Sequence, residues 1–364
     1  MSMSYAAGYR MRCFLLLAVT GALLASCTYV QVFEIPEGAT DAGAEAGEPV
    51  VLASGQGKSS GGAYYGQDLA PLDGPDEVAT DGAFVYWTNL RGEVMRVPAG
   101  GGEVTRVTFV DGPVALAVDD ASVFVGSAAT RTVLWAPKSG GTATAITSAN
   151  SEIPMQLALG GDLVFWSSGD GVYACAKAGC SAARALWRSE TGAVTGTTSG
   201  ITFAHERVYF GYTQITGPIQ GQGNASGAIM SIGVDGSGNG QVANGFPSYY
   251  LLSTDGESVY ATADNAIVRA PLQGAVARKV LASGADVNPW RILAVGGYVY
   301  WTELFPPGRV MRVKNDGDAP PEAVSPPTTG ARGITASSDT IYWTTGDGRV
   351  MKLALAARFA PQPR

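Results

Sequence analysis

The chain has 364 residues, 46% of them hydrophobic, enough to bury one large core, and 49 glycines, which fit a chain full of tight turns and call for neither a collagenous nor a disordered reading. Only 15% of the residues are charged and the formal net charge is −7. An acidic chain without a basic patch is set apart from nucleic-acid binders, whose affinity comes largely from neutralised phosphates.

Residues 1–26 read as a secretory signal. Arg10 and Arg12 precede an apolar run from Phe14 to Leu24, too short to span a bilayer as a helix of about 20 residues but of the right length for a signal core. The run ends in Leu24-Ala25-Ser26-Cys27, which resembles the lipobox of bacterial lipoproteins. That resemblance implies diacylation of the Cys27 thiol, which becomes the new N-terminus, and Thr28 in place of an aspartate implies sorting to the outer membrane or cell surface. An ordinary cleaved signal is the alternative, and Met1, Met3 and Met11 are all possible starts. Removing Arg10 and Arg12 with the signal takes the net charge from −7 to −9.

Residues 27–48 then read as the lipidated cysteine and a flexible tether of Gly, Ala and acidic side chains, with a coil reach of about 25 Å. Pro49 ends it, residues 50–53 form a short apolar strand, and residues 56–66 are a second flexible piece.

Residues 78–102 hold the first full copy of a unit that recurs along the chain. An apolar run, an Asp-Gly turn, a second run (Phe84-Val85-Tyr86-Trp87-Thr88), a polar loop and a third run (Val94-Met95-Arg96-Val97) are β-rich segments separated by turn formers. The aromatic of the second run returns at Tyr86, Phe124, Phe165, Tyr209, Tyr260, Tyr300 and Tyr342, with separations of 38, 41, 44, 51, 40 and 42 residues. A period near forty with four short strands per unit predicts an all-β fold: a seven-bladed β-propeller of four-stranded antiparallel blades over residues 49–357, with six blades as the alternative count and 358–364 as a tail. Fourth strands are expected at 104–107, 144–147, 185–187, 241–243, 279–282 and 323–325, one short of seven. Residues 49–55 (PVVLASG) match 278–284 (RKVLASG), so Val50 to Ala53 are expected to complete the last blade and close the ring.

The runs VYWTN (85–89), VYWTE (299–303) and IYWTT (341–345) resemble the YWTD/NHL-like propeller repeats of lipoprotein receptors and of bacterial secreted proteins of the lipoprotein type. The resemblance implies the fold and an extracytoplasmic binding role. Asn89, Glu303 and Thr345 stand where the motif has aspartate, so the receptor-type contacts between blades do not carry over directly.

Cys175 and Cys180 flank a four-residue hairpin turn and are expected to form a disulfide; a reactive thiol pair or half a metal site is the alternative. Other constellations carry little. Lys58 and Ser59 lack the first glycine and the helix of a phosphate-binding loop, and residues 235–240 lack the glutamate at position twelve of a calcium loop and fit a hairpin turn. Asn224-Ala225-Ser226 fits the glycosylation pattern only by accident in a bacterial lipoprotein. His205, the only histidine, stands in a first-to-second-strand turn, and the first strands, sampled at Val78, Ala117, Leu157, Thr202, Ser253, Leu293 and Thr335, repeat no ionisable group along the channel. No catalytic residue, metal or cofactor is expected. Trp87, Trp166, Trp301 and Trp343 share one repeat position and read as core between blades.

What remains for function is the face where second-to-third-strand and blade-to-blade connections open. It carries the longest insertion, 212–227 with Tyr212 and Gln214, together with Tyr249, Trp290, Glu303 and Phe305. The reading is a monomeric, non-catalytic envelope lipoprotein binding a protein or glycan partner there. An extracytoplasmic propeller lyase or hydrolase, and a purely structural surface component, are the alternatives.

Overall fold

The computed structural model describes residues 9–15, 25–31, 48–54, 75–89, 91–148, 152–189, 194–216, 224–246, 248–273, 278–305 and 308–355. In the unit formed by residues 1–45, the backbone of Tyr9–Leu15 pairs antiparallel with Ala25–Gln31. The side chains behind the signal and Cys27 readings, the tether up to residue 47, the piece 56–66 and the tail lie outside the described residues.

The unit from Ala46 onward is all-β, with seven four-stranded antiparallel sheets. Blade 1 comprises Pro75–Thr80, Phe84–Asn89, Glu93–Pro98 and Thr105–Phe109; blade 2, Pro113–Val118, Ser122–Ser127, Thr132–Pro137 and Thr144–Ala145. Blade 3 follows with Gln156–Gly160, Leu163–Ser168, Gly171–Ala176 and Arg184–Arg188, and blade 4 with Val194–Ala204, Arg207–Thr216, Asn224–Gly233 and Gly240–Phe246. Blade 5 is Leu252–Thr254, Ser258–Ala263, Ala266–Pro271 and Lys279–Ser283; blade 6 is Arg291–Val295, Tyr298–Thr302, Val310–Lys314 and Glu322–Ala323. Blade 7 takes three strands from the C-terminal end, Ala331–Ala336, Thr340–Thr345 and Val350–Ala354, and its outermost strand, Val50–Ala53, from the other end of the unit.

Each first strand lies against the first strand of the next blade, and that of blade 7 against that of blade 1, so the ring closes at seven. The closing strand pairs Val50 with Lys352, Val51 with Met351 and Ala53 with Val350. Leu52 and Ala53 turn inward onto Val78, Trp87, Val97 and Tyr342, so this strand also cements blade 7 to blade 1. Second strands are buried on both faces because each sheet is covered by a neighbour on either side. That explains their unbroken apolar character and the complete burial of the four repeat tryptophans.

The threonine of the Tyr-Trp-Thr run stitches blades together. Thr302 Oγ1 accepts from the Arg291 amide at 3.1 Å and donates to the Arg332 carbonyl of blade 7 at 2.6 Å. Thr344 repeats this, accepting from Gly333 at 3.0 Å and donating to the Asp76 carbonyl of blade 1 at 2.6 Å. The residue after the threonine acts locally instead. Asn89 Oδ1 accepts from the amides of Arg91 and Glu93 (3.1 and 3.0 Å), and Thr345 Oγ1 accepts from Arg349 at 3.2 Å.

On the opposite face, an aspartate in the first-to-second-strand turn latches onto the following blade. Asp81 accepts from the amides of Ala83 and Phe84, from Tyr86 Oη at 3.0 Å and from Lys138 Nζ of blade 2 at 2.5 Å. Asp119 meets Lys177 Nζ of blade 3 at 3.0 Å, and Asp255 holds Tyr260 Oη at 2.7 Å and Asn315 Nδ2 of blade 6 at 3.4 Å. The expected disulfide is present, Cys175 to Cys180, tying the turn after the third strand of blade 3.

Candidate functional site

Antiparallel strand order puts two kinds of connection at each end of the ring. First-to-second and third-to-fourth turns form one face, which is glycine-rich, polar and latched as above. Residues 235–240 belong to it as a plain turn, in which Asp235 Oδ1 accepts from the Ser237 amide at 2.9 Å.

Second-to-third and blade-to-blade connections form the other face, and its chemistry differs. Among the described residues nine large apolar side chains are exposed. Five of them, Ile153, Met155, Tyr250, Trp290 and Phe305, lie in these connections, and Phe109 ends the outermost strand of blade 1 at one; the other three, Val50, Val51 and Val280, lie within outermost strands. None belongs to a turn of the latched face.

At the centre of this apolar face the channel mouth is charged. Arg291, on the first strand of blade 6, donates from Nε at 3.0 Å, and also from Nη2, to Glu77 Oε1 on the first strand of blade 1, spanning the first strand of blade 7. Beside them Arg332 Nη1 of blade 7 stands 3.6 Å from Asp76 Oδ1. Burial outweighs the attraction of Arg291 and, with the neighbouring Asp76, holds the Glu77 carboxyl above its ordinary range. The Arg291 guanidinium stays charged, since Glu77 more than offsets its desolvation. It also lies 5.1 Å from the ring centroid of Trp290, so one arginine joins the exposed aromatic to the channel carboxylate.

These channel charges correct the expectation of a mouth without ionisable groups. Sampling each first strand at one position read only one level of the channel; the charges stand at the strand starts, at Asp76, Glu77, Arg291 and Arg332, where the channel opens. The sequence signal was available, because a charged residue preceding an apolar first strand must sit at its open end.

The predicted contact residues divide. Trp290 and Phe305 are 40% and 45% exposed and remain rim candidates. Tyr249 is a correction: it is fully buried in the core between blades 4 and 5, edge-on to Phe246 at 5.9 Å, and burial pushes its hydroxyl up to about 12. The adjacent Tyr250 is the exposed aromatic instead, 48% accessible. Glu303 is likewise withdrawn at 3% exposure, accepting from Arg309 Nε at 3.2 Å.

Nor are the described ends of the 212–227 insertion, residues 212–216 and 224–227, irregular. Second and third strands of blade 4 run on to Thr216 and start again at Asn224, in register from Arg207–Gly233 to Thr216–Asn224. Tyr212 and Gln214 thus sit half-buried on an extended strand. Tyr212 packs edge-on against Trp187 at 4.8 Å and lies over Gly196, where a Cβ would collide with its ring.

No protein-family model matches the chain, and no curated protein matches it in sequence. Among solved structures it is similar to selenomethionine-substituted virginiamycin B lyase from Staphylococcus aureus, at 16% identity over 85% of this chain and 98% of that one, TM-score 0.62. A catalytically inactive variant of that lyase with quinupristin matches at 16% identity over 79% and 97% of the two chains, TM-score 0.57. BamB from Moraxella catarrhalis matches at 12% identity over 86% and 100%, TM-score 0.50. At these identities the likeness is one of fold, and what this chain shares with the lyase and with BamB is the β-propeller ring.

Proposed function

We propose that this chain is a bacterial envelope lipoprotein, anchored through Cys27, whose propeller binds a partner protein with the apolar face around the charged channel mouth. The observation that carries the reading is segregation. All the exposed apolar side chains outside the outermost strands lie at one face, and the charges at its centre are already paired. Apolar groups set around a paired polar centre match the make-up of a protein interface. Leu24-Ala25-Ser26-Cys27 supports the anchor and with it the envelope role.

Lyase chemistry draws less support. The inactive lyase variant carries alanine in place of one histidine. Here the single histidine, His205, is in the latched face, bonded through Nε2 to the Gly256 carbonyl at 2.5 Å. Glu77, the channel carboxylate, is engaged by Arg291 on the first strand of blade 6.

A photo-crosslinking residue placed at 290 or 305 in intact envelopes is expected to yield one discrete protein adduct, and the same residue at 100, in the latched face, none. Equal labelling from both faces, or none from either, would refute the docking face. Cys27→Ser should move the protein from the membrane to the soluble fraction; unchanged fractionation would refute the anchor.

A further inference from the structure

The channel mouth is balanced in charge but not in hydrogen bonds. Among the described residues Glu303 and Arg332 are the two most buried charged side chains, and both lie where blades 6 and 7 meet on the apolar face. The Ala331 amide bonds to the Glu303 carbonyl at 3.0 Å, so the two residues stand side by side in the fold. Glu303 has Arg309 as its donor, and Arg291 gives two hydrogen bonds to Glu77. Arg332 has only its ion pair with Asp76, at 3.6 Å too long for a hydrogen bond. Its buried Nε has no partner, and among the described residues neither Nη donates to an acceptor. Burying a guanidinium in this state is costly, so it calls for an acceptor that the chain itself does not supply.

The backbone around it is arranged to present this side chain. Register shifts between Ala331 and Ile334 in blade 7, and between Pro75 and Val78 in blade 1, so Arg332 and its ion-pair partner Asp76 both stand where the ladder is interrupted. Such interruptions re-aim side chains out of the regular alternation of a strand. Thr302 Oγ1 donates to the Arg332 carbonyl at 2.6 Å, and the next amide, Gly333, bonds to Thr344 Oγ1 at 3.0 Å. A Cβ at Gly333 would collide with the Asp76 carbonyl, so the two interrupted strands touch here. The donor is thus held in place before any partner arrives, which lowers the entropic cost of binding.

We infer that Arg332 is the polar anchor of the docking face and takes an amide carbonyl oxygen from the partner protein. A neutral acceptor fits because Arg291 already pairs with Glu77, Arg309 with Glu303 and Arg332 with Asp76. An incoming carboxylate would add an unbalanced charge beside those acids. The exposed Trp290 and Phe305 belong to connections of the adjoining blade 6, and aromatic contacts around a shielded polar one are how protein interfaces concentrate their affinity. The inference rests on the docking-face reading and names the atom the partner must supply.

The test joins crosslinking to stability. Arg332→Met should cut the adduct formed from position 305 by about tenfold or more. Arg332→Lys keeps the charge but not the planar fork and should cut it less; it also serves if Arg332→Met folds poorly. The melting temperature of Arg332→Met should be unchanged or higher, since a group left unmatched in the free chain contributes nothing to the fold. A fall as large as that of Arg291→Met would make Arg332 structural and overturn the anchor. By NMR, the Arg332 side-chain N–H signals should shift with neutral N-acetylglycine methylamide and not with acetate or methyl α-glucoside. A shift with acetate or the glucoside in its place, or with none of the three, would overturn the amide acceptor. A full adduct from a folded Arg332→Met chain would defeat the anchor alone, whereas no adduct from the native chain would remove the docking face and the anchor with it.

Discussion

Replacing Arg291 by methionine tests the channel mouth most directly. The substitution keeps much of the side-chain volume but removes both donors to Glu77 Oε1, while the pair in the native chain is only 18% and 15% accessible. Stripping one partner from a buried pair costs about 3–5 kcal/mol; with this residual exposure the expectation is about 2–3 kcal/mol at neutral pH. At about 2 °C per kcal/mol for a domain of this size, the melting temperature should fall by roughly 4–6 °C.

The pH dependence is the sharper reading. Glu77 already titrates above the ordinary 4.5, and losing Arg291 raises it further. A carboxyl raised in the folded state favours folding when protonated, and that advantage is lost as pH climbs from the unfolded value through the folded one. The deficit of the variant against native protein should therefore be small near pH 4.5 and grow toward pH 7, as followed by urea denaturation at both. Glu77→Gln combined with Arg291→Met should recover most of the loss. A deficit independent of pH, or one below about 0.5 kcal/mol at pH 7, would refute the buried-pair account.

Lys138→Met should cost about 1 kcal/mol. Burial pushes Asp81 up, but hydrogen bonds from Lys138, the Phe84 amide and Tyr86 outweigh it and hold the carboxyl below its ordinary value. The latch is thus intact at neutral pH and lost as pH falls below about 4, and the acid limb of the stability profile should shift in the variant. Thr344→Val strands the Gly333 amide and the Asp76 carbonyl, so urea titration should show a loss of about 1–3 kcal/mol. Tyr249→Phe removes a buried hydroxyl with no partner and should be neutral or slightly stabilising in melting experiments. Deleting residues 49–55 exposes the third strand of blade 7 and uncovers Trp87 and Tyr342; an unaltered melting curve would remove the claim that this strand closes the ring.

Much of the fold was legible in the chain because a propeller writes itself as a period. The seven aromatics from Tyr86 to Tyr342 each fall in a second strand, and the short Val50–Ala53 segment could be paired with its distant blade by its likeness to residues 278–284. The site was less legible. Tyr249 and Tyr250 are neighbours of the same type in one connection, and alternation of the backbone buries the first and exposes the second. The 212–227 insertion reads as a loop because Thr, Gly and Gln dominate it, yet pairing along blade 4 carries its described ends on as strand, to Thr216 and from Asn224.

By itself the sequence determined what is repeated: strand length, turn chemistry, the buried tryptophan position, the seven-fold count and the disulfide across a four-residue turn. These follow from local pattern, and a periodic chain states each of them several times over. Only the tertiary structure decided what happens once, between distant residues: the Arg291 to Glu77 pair across 214 positions and the separation of an apolar face from a latched one. The physical reason is that ring closure brings together side chains whose spacing in sequence carries no period, so their contacts are set by the closed circle and not by any local rule.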